Sequence, residues 1–168
     1  SLVGARLFHV PMPTNKSETA AAGREMTAGG AKPTATEMVQ DGASVCVRIW
    51  GGVGNDTIHS GTGRDVMNGG PGADVFVWTA AGESPHGAAR DTITDFESGI
   101  DRIDLSALHA GLSFVAAYGG VAGQVRYNPG LSGGTVGRLY VDLTGNGASD
   151  VSIDLLGAPV LTVDDLIL

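Results

Sequence analysis

A single cysteine, Cys46, stands in 168 residues, so no disulfide within the chain can staple the fold. Aromatic residues are few, at 5%. No apolar run approaches the roughly 20 residues of a membrane-spanning helix, so membrane insertion is not expected. The first residues do not read as a charged-then-apolar leader, and the chain starts with Ser rather than Met, as a processed or partial chain would. Positive charge is scarce in one region. Residues 51–168 hold five Lys/Arg against fourteen Asp/Glu, net −9, while residues 1–50 hold five against four, net +1, which together give the −8 of the whole chain. Such acidity repels the phosphates of nucleic acid and suits a cation binder. A chain without disulfides that must survive outside a cell needs another staple, and bound metal can serve.

What is present points the same way. Glycine is abundant, at 27 residues, and residues 51–77 form three nine-residue units: GGVGNDTIH, SGTGRDVMN and GGPGADVFV. The fourth position is always Gly (Gly54, Gly63, Gly72), the sixth always Asp (Asp56, Asp65, Asp74), and the eighth always large and apolar (Ile58, Met67, Phe76). This pattern resembles the calcium-binding nonapeptide of RTX proteins, a β-roll repeat. Three units in register exclude a merely flexible glycine-rich linker. Glycines permit the positive φ of a tight turn. Turn carbonyls and one carboxylate per unit are hard oxygen donors, and calcium takes six to eight of them. No single turn supplies enough.

Alternation along a short strand points one apolar residue per unit inward. Successive turns then fall on opposite edges of a coil, and turns two units apart stack. The turn Gly51–Asp56 should lie on Gly69–Asp74, with one ion between Asp56 and Asp74. The middle turn, Ser60–Asp65, would need a partner in WTAAGESPH, residues 78–86, where Glu83 holds the sixth position. Glu83, helped by Asp91, is the expected completion of a second site, so about two calcium ions are expected. The window before the first unit has Val47 at position six and can bind nothing there.

The rest reads as mostly β. Residues 1–43 show no sustained period and are expected to be linker or poorly ordered. Ser44–Trp50 alternates as a strand entering the roll. Strands are expected at Asp91–Phe96, Asp101–Leu105, Ser113–Tyr118 and Gln124–Tyr127, with a helical turn at Ser106–Ala110. The alternating runs at Leu139–Leu143 and Val151–Leu155, joined through Thr144-Gly145-Asn146-Gly147, predict a hairpin. Thr162 before Asp164 and Asp165 reads as a helix cap. The fold class is all-β: a short parallel β-roll (44–86) followed by a β-sandwich-like C-terminal segment (87–168) that caps it.

Rival chemistry is weak. Gly130-Leu131-Ser132-Gly133-Gly134 fits G-x-S-x-G, but that elbow needs a strand before and a helix after. Here Asn128-Pro129 precedes and a strand follows, so a hairpin loop is expected. Asp142, Asn146 and Asp150 do not meet EF-hand spacing and read as a turn. The pairs Asp101/Asp104 and Asp164/Asp165 read as solvated faces or caps.

The run from Gly69 to Leu108, GGPGADVFVWTAAGESPHGAARDTITDFESGIDRIDLSAL, closely resembles the C-terminal domain of serralysin-type secreted metalloproteases. The resemblance continues more loosely through GQVRYN, LYVDLTGNGASD and LTVDDLIL, and covers residues 51–168. It implies a calcium-loaded roll, an extracellular destination and passage through a type I secretion transporter that reads the C-terminus, here Asp165-Leu166-Ile167-Leu168. Position by position it implies Asp56, Asp65 and Asp74 as side-chain ligands. Carbonyls of Gly51 and Val53 would face those of Gly70 and Gly72, with Ser60 and Thr62 in the corresponding places of the middle turn and Asp91 as a late ligand. The protease of that family carries an HExxH zinc helix, whereas no Glu follows His9, His59, His86 or His109. No catalysis is expected of this chain, and a monomer is expected. The alternative is a calcium-dependent module of a secreted RTX adhesin or surface-layer protein.

Overall fold

The computed structural model describes residues 27–29, 35–41 and 44–168. Thirteen strands follow in chain order: β1 (Thr27–Gly29), β2 (Ala35–Asp41), β3 (Ser44–Trp50), β4 (Asn55–His59), β5 (Val66–Asn68), β6 (Val75–Val77), β7 (Asp91–Ile93), β8 (Arg102–Asp104), β9 (Ser113–Phe114), β10 (Gln124–Leu131), β11 (Val136–Asp142), β12 (Val151–Leu156) and β13 (Leu166–Ile167). They form two sheets, β1-β4-β6-β8-β13 and β2-β3-β5-β7-β12-β11-β10-β9. From β3 to β8 the chain alternates between them, one strand each time, which is the coil the nonapeptides dictate. Pairings β3–β5, β5–β7, β4–β6 and β6–β8 are all parallel.

The period of nine sets the register. Ile49 lies beside Met67, Met67 beside Ile93, and Ile93 beside Leu155 in one sheet. Ile58, Phe76, Ile103 and Leu166 form the matching row in the other. These two rows are buried and make the core, joined by Trp78, Leu105 and Phe96. Each such side chain contributes about 1.5–3 kcal/mol by leaving water. One inward residue per unit leaves a thin core, which is why closure at the ends matters.

The C-terminal strands supply that closure as further rungs. β12 pairs parallel to β7, and β13 pairs parallel to β8. Antiparallel β12–β11–β10 then extends the larger sheet. The expected hairpin is β11–β12. The expected division at residues 86 and 87 falls in the connector between β6 and β7, whose flanking strands belong to these same two sheets. Within the span expected to be linker, β2 pairs antiparallel to β3 and β1 antiparallel to β4, so part of residues 1–43 is strand. The rest of that span lies outside the described residues. Ser106–Ala110, expected as a helical turn, forms hydrogen-bonded turns, with the Leu108 N–H donating to the Leu105 carbonyl. Ser132–Gly134 is an exposed 3-10 turn between β10 and β11, with Ser132 at φ +48. Among the described residues no helix is long and apolar enough to cross a membrane.

Candidate metal centre

The first and third glycine turns stack. N–H groups of Gly51, Gly52 and Gly54 donate to the carbonyls of Asn68, Gly69 and Pro71 at 2.9, 3.1 and 2.9 Å. The Ala73 N–H returns a bond to Asn55 Oδ1 at 2.9 Å. The approach is so close that only glycine fits. A Cβ on Gly70 would lie 2.0 Å from the Gly52 oxygen, and one on Gly72 1.9 Å from the Gly54 oxygen, both at positive φ. The carbonyls of Gly51, Val53, Gly70 and Gly72 stand outside this ladder of bonds.

Asp56 and Asp74 sit at this stack, 2% and 1% exposed. Asp74 Oδ1 accepts the Asp56 N–H at 2.8 Å. Asp74 Oδ2 and both Asp56 carboxylate oxygens are buried without a hydrogen-bond partner. Burial raises Asp56 above the ordinary carboxylate range. Burial, reinforced by neighbouring Asp101, Asp56 and Asp95, raises Asp74 to about 6 against the lowering effect of the Asp56 N–H. Buried carboxylates without donors are costly, and the usual compensation is a partner or a coordinated cation. The donors within reach are carboxylate and carbonyl oxygens, with no thiolate or imidazole among them, which suits calcium rather than zinc. Among the described residues no group of three or more His, Cys, Asp or Glu side chains converges as a metal cage. Backbone carbonyls would therefore have to supply most ligands, as the glycine turns allow.

The same edge continues to a rung that the nonapeptide count missed. Asp101 Oδ1 accepts the Asp74 N–H at 2.9 Å, and its Oδ2 accepts the Glu97 N–H at 2.9 Å. Asp95 accepts the N–H groups of Gly69 and Gly70 at 3.0 and 2.8 Å. Asp101 is buried rather than a solvated face, and it caps the Glu97 N–H, while Asp104 caps Ser106. The signal was present in Asp101-Arg102-Ile103, which repeats the Asp-x-apolar spacing of Asp56, Asp65 and Asp74.

On the opposite edge Asp65 Oδ1 accepts the Val47 N–H, and Asp91 Oδ1 accepts the Asp65 N–H, both at 2.7 Å. Asp91 thus occupies the place that counting assigned to Glu83. Glu83 is turned away: its oxygens accept the Thr79 N–H and hydroxyl, both at 2.7 Å. Ser60 is buried beside Asp91, and Thr62 is exposed on the middle turn. Asp91 Oδ2 accepts the Trp78 indole N–H at 2.9 Å. Burial raises Asp91 to about 7, with the Asp65 charge adding to it and hydrogen bonds from Asp65, Trp78 and Ser60 opposing.

Comparison with known proteins agrees with this geometry. A profile described as Peptidase M10 serralysin C terminal matches residues 37–168. Serralysin A of Dickeya chrysanthemi is 39% identical over 91 residues, covering 53% of this chain and 19% of that protein. Metallopeptidase AprA of Pseudomonas marginalis is 44% identical over 84 residues, covering 49% of this chain and 17% of that protein. The match thus spans under a fifth of these curated relatives. Among solved structures, the AlgE6R2 subunit of the Azotobacter vinelandii mannuronan C5-epimerase superposes with a TM-score of 0.54 at 29% identity, covering 72% of this chain and 75% of that one. The AlgE6R3 subunit of that enzyme gives 0.50 at 30%, covering 73% and 72%. With the profile covering most of its length, the chain belongs to the serralysin C-terminal family of the M10 peptidases.

Proposed function

We propose that this chain is the calcium-dependent folding and type I export module of a secreted, extracellular serralysin-like metalloprotease. The observation that carries the reading is the set of buried, partnerless oxygens on Asp56 and Asp74. Bound calcium would supply the positive charge these carboxylates lack, with the carbonyls of Gly51, Val53, Gly70 and Gly72 as the accompanying donors. The chain's own contribution is to hold two acids and two glycine turns together in one dry stack. Without a cation that stack brings like charges together, so folding and metal loading become one event.

The C-terminal tail supports the export reading in a specific way. Asp165 is buried, accepting the Gly99 N–H at 2.6 Å, the Ser98 hydroxyl at 3.0 Å and the Thr162 N–H at 2.7 Å. Leu166 and Ile167 form the last rung. A transporter that reads these residues must meet them before the domain folds. Low intracellular calcium would keep the chain open for export, and calcium outside would close it. Extracellular calcium modules bind on the order of 10⁻⁴–10⁻³ M. At ten times the dissociation constant one site adds only about 1.4 kcal/mol, so the capping strands must share the work.

A circular-dichroism titration tests this. The strand signal should be weak in excess chelator and should rise cooperatively as calcium is added. Full strand signal in chelator would count against the proposal.

A further inference from the structure

We infer that Asp95 is a positioning residue for the cation site: it ends the stack of glycine turns and fixes the Gly69–Gly70 peptide, so that the Gly70 carbonyl is held as an ion donor. The inference rests on the reading of the Asp56–Asp74 stack as a calcium site, and it adds to that site a residue that touches no ion.

The stack has a direction. The first turn donates the N–H groups of Gly51 and Gly52 to the carbonyls of Asn68 and Gly69 in the third. Gly69 and Gly70 hold the same two positions in the third turn. No further glycine pair follows on this edge, where the chain between β7 and β8 reads TDFESGID from Thr94 to Asp101. Asp95 takes the place of the missing turn. Its Oδ1 accepts the Gly69 N–H at 3.0 Å and its Oδ2 the Gly70 N–H at 2.8 Å. One side chain thus supplies the two acceptors that another turn would offer as the carbonyls of two residues.

Both peptides concerned are trans, so the N–H and C=O of each point opposite ways. The Asn68–Gly69 peptide therefore joins Asp95 on one side to the Gly51 N–H on the other, and the Gly69–Gly70 peptide joins Asp95 to the Gly52 N–H. Bonds to an ionised acceptor are the stronger kind, and bonds in a chain polarise one another. Gly70 follows at φ +89 with no Cβ to restrict it. Fixing the peptide before it limits its rotation, and with that the direction of its carbonyl. Asp95 is itself clamped. The Thr94 N–H and hydroxyl both donate to the Met67 carbonyl at 2.9 Å, and the Asn68 side-chain amide donates to the Thr94 hydroxyl at 3.1 Å. Phe96, on the other side, is buried with its ring 6.3 Å from that of Phe76. Asp95 thus stands across the third turn from the first, outside the aspartate columns Asp56–Asp74–Asp101 and Asp65–Asp91.

Terbium in place of calcium tests this, because its luminescence decay in light and heavy water counts the waters on the bound ion. Asp95→Asn keeps the size of the side chain but turns one acceptor into a donor. Its calcium affinity should fall roughly tenfold, as changes to the outer shell of a metal site do. The charge of Asp95 also reaches Asp74, so affinity alone would not separate orientation from field. The water count does. With the Gly70 carbonyl loosened, Asp95→Asn should carry more water per terbium than the unaltered chain. Asp165→Asn, which breaks the C-terminal capping box, is the control for lost stability and should leave the count unchanged. If Asp95→Asn does not fold at saturating terbium, Thr94→Val decides: it keeps the carboxylate and the β-branched shape, removes the hydroxyl clamp, and should also raise the count. An unchanged count in folded Asp95→Asn, or in Thr94→Val where Asp95→Asn does not fold, overturns the inference, as does an equal rise in Asp165→Asn. Failure of the unaltered chain to bind terbium or calcium would instead remove the cation site on which it rests, so the two failures are distinguishable.

Discussion

The aspartates of the roll and those of the C-terminal segment are the same residue in opposite circumstances. In the roll, burial raises Asp56, Asp74, Asp91 and Asp101. In the C-terminal segment, burial also pushes upward on Asp142 and Asp165, but hydrogen bonds outweigh it and hold both below the ordinary value. Asp142 is ringed by the N–H groups of Thr144, Gly145 and Gly147 at 3.1, 2.7 and 2.8 Å. Asp165 completes a capping box with Thr162. Under the proposed function, the difference marks where a cation would be needed. The C-terminal acids are finished by their own chain, while Asp56 and Asp74 are left for something outside it.

The sharpest way to break this contrast is to deny the roll its stack. Gly72→Ala would drive a methyl group into the Gly54 carbonyl at positive φ. It is expected to cost on the order of 4 kcal/mol, read as the lost melting transition at saturating calcium.

Acidity separates the two regions next. A carboxylate whose folded pKa is raised contributes stability that is present below its unfolded value, near 4, and is lost as pH rises through the folded value. With chelator present, strand signal should therefore be recovered on acidification from pH 7.5 towards 5, through the values of about 7 for Asp91 and about 6 for Asp74. With calcium present, protons should compete at Asp74, so the half-saturating concentration should rise several-fold over that interval. Asp165 has the opposite sign. Its stabilisation is present above the unfolded value and disappears only as pH falls through a folded value below it. Acidification that weakened the chelated protein across pH 7.5 to 5 would break the comparison.

A smaller effect is expected from Asp165→Asn, which loses a charged acceptor for four donors. About 1–2 kcal/mol should be lost, and by the same amount at every saturating calcium concentration. Smallest of all is Ser132→Ala. Its side chain is exposed in the β10–β11 turn, so stability should change by less than about 0.5 kcal/mol, and an esterase assay should find no activity to lose.

Much of the roll was legible because its period is short-range. Gly, Asp and the apolar residue recur every nine positions, and from that the stack of Gly51–Asp56 on Gly69–Asp74 follows by geometry alone. Glu83 was misplaced because counting nine assumed that the connector after β6 kept the same length. Asp101 was overlooked because its rung comes ten residues after Ile93 on the apolar row, again off the count. The rungs β12 and β13 lay further from view. Ile153 pairs beside Asp91 across some sixty residues, and nothing local in Val151–Leu156 distinguishes a roll strand from an ordinary hairpin arm. The Trp78–Asp91 bond was hidden for a related reason. An indole thirteen residues from a carboxylate announces nothing until the connector is folded back.

The docking of Leu166 and Ile167 beside β8 also sets an order of events on the ribosome. The residues that cover Ile103 and tie down Ser98 and Gly99 are made after everything they cover. A nascent chain whose Leu166 and Ile167 are still inside the exit tunnel would lack this rung, so the domain should close only once they have emerged, however much calcium surrounds it.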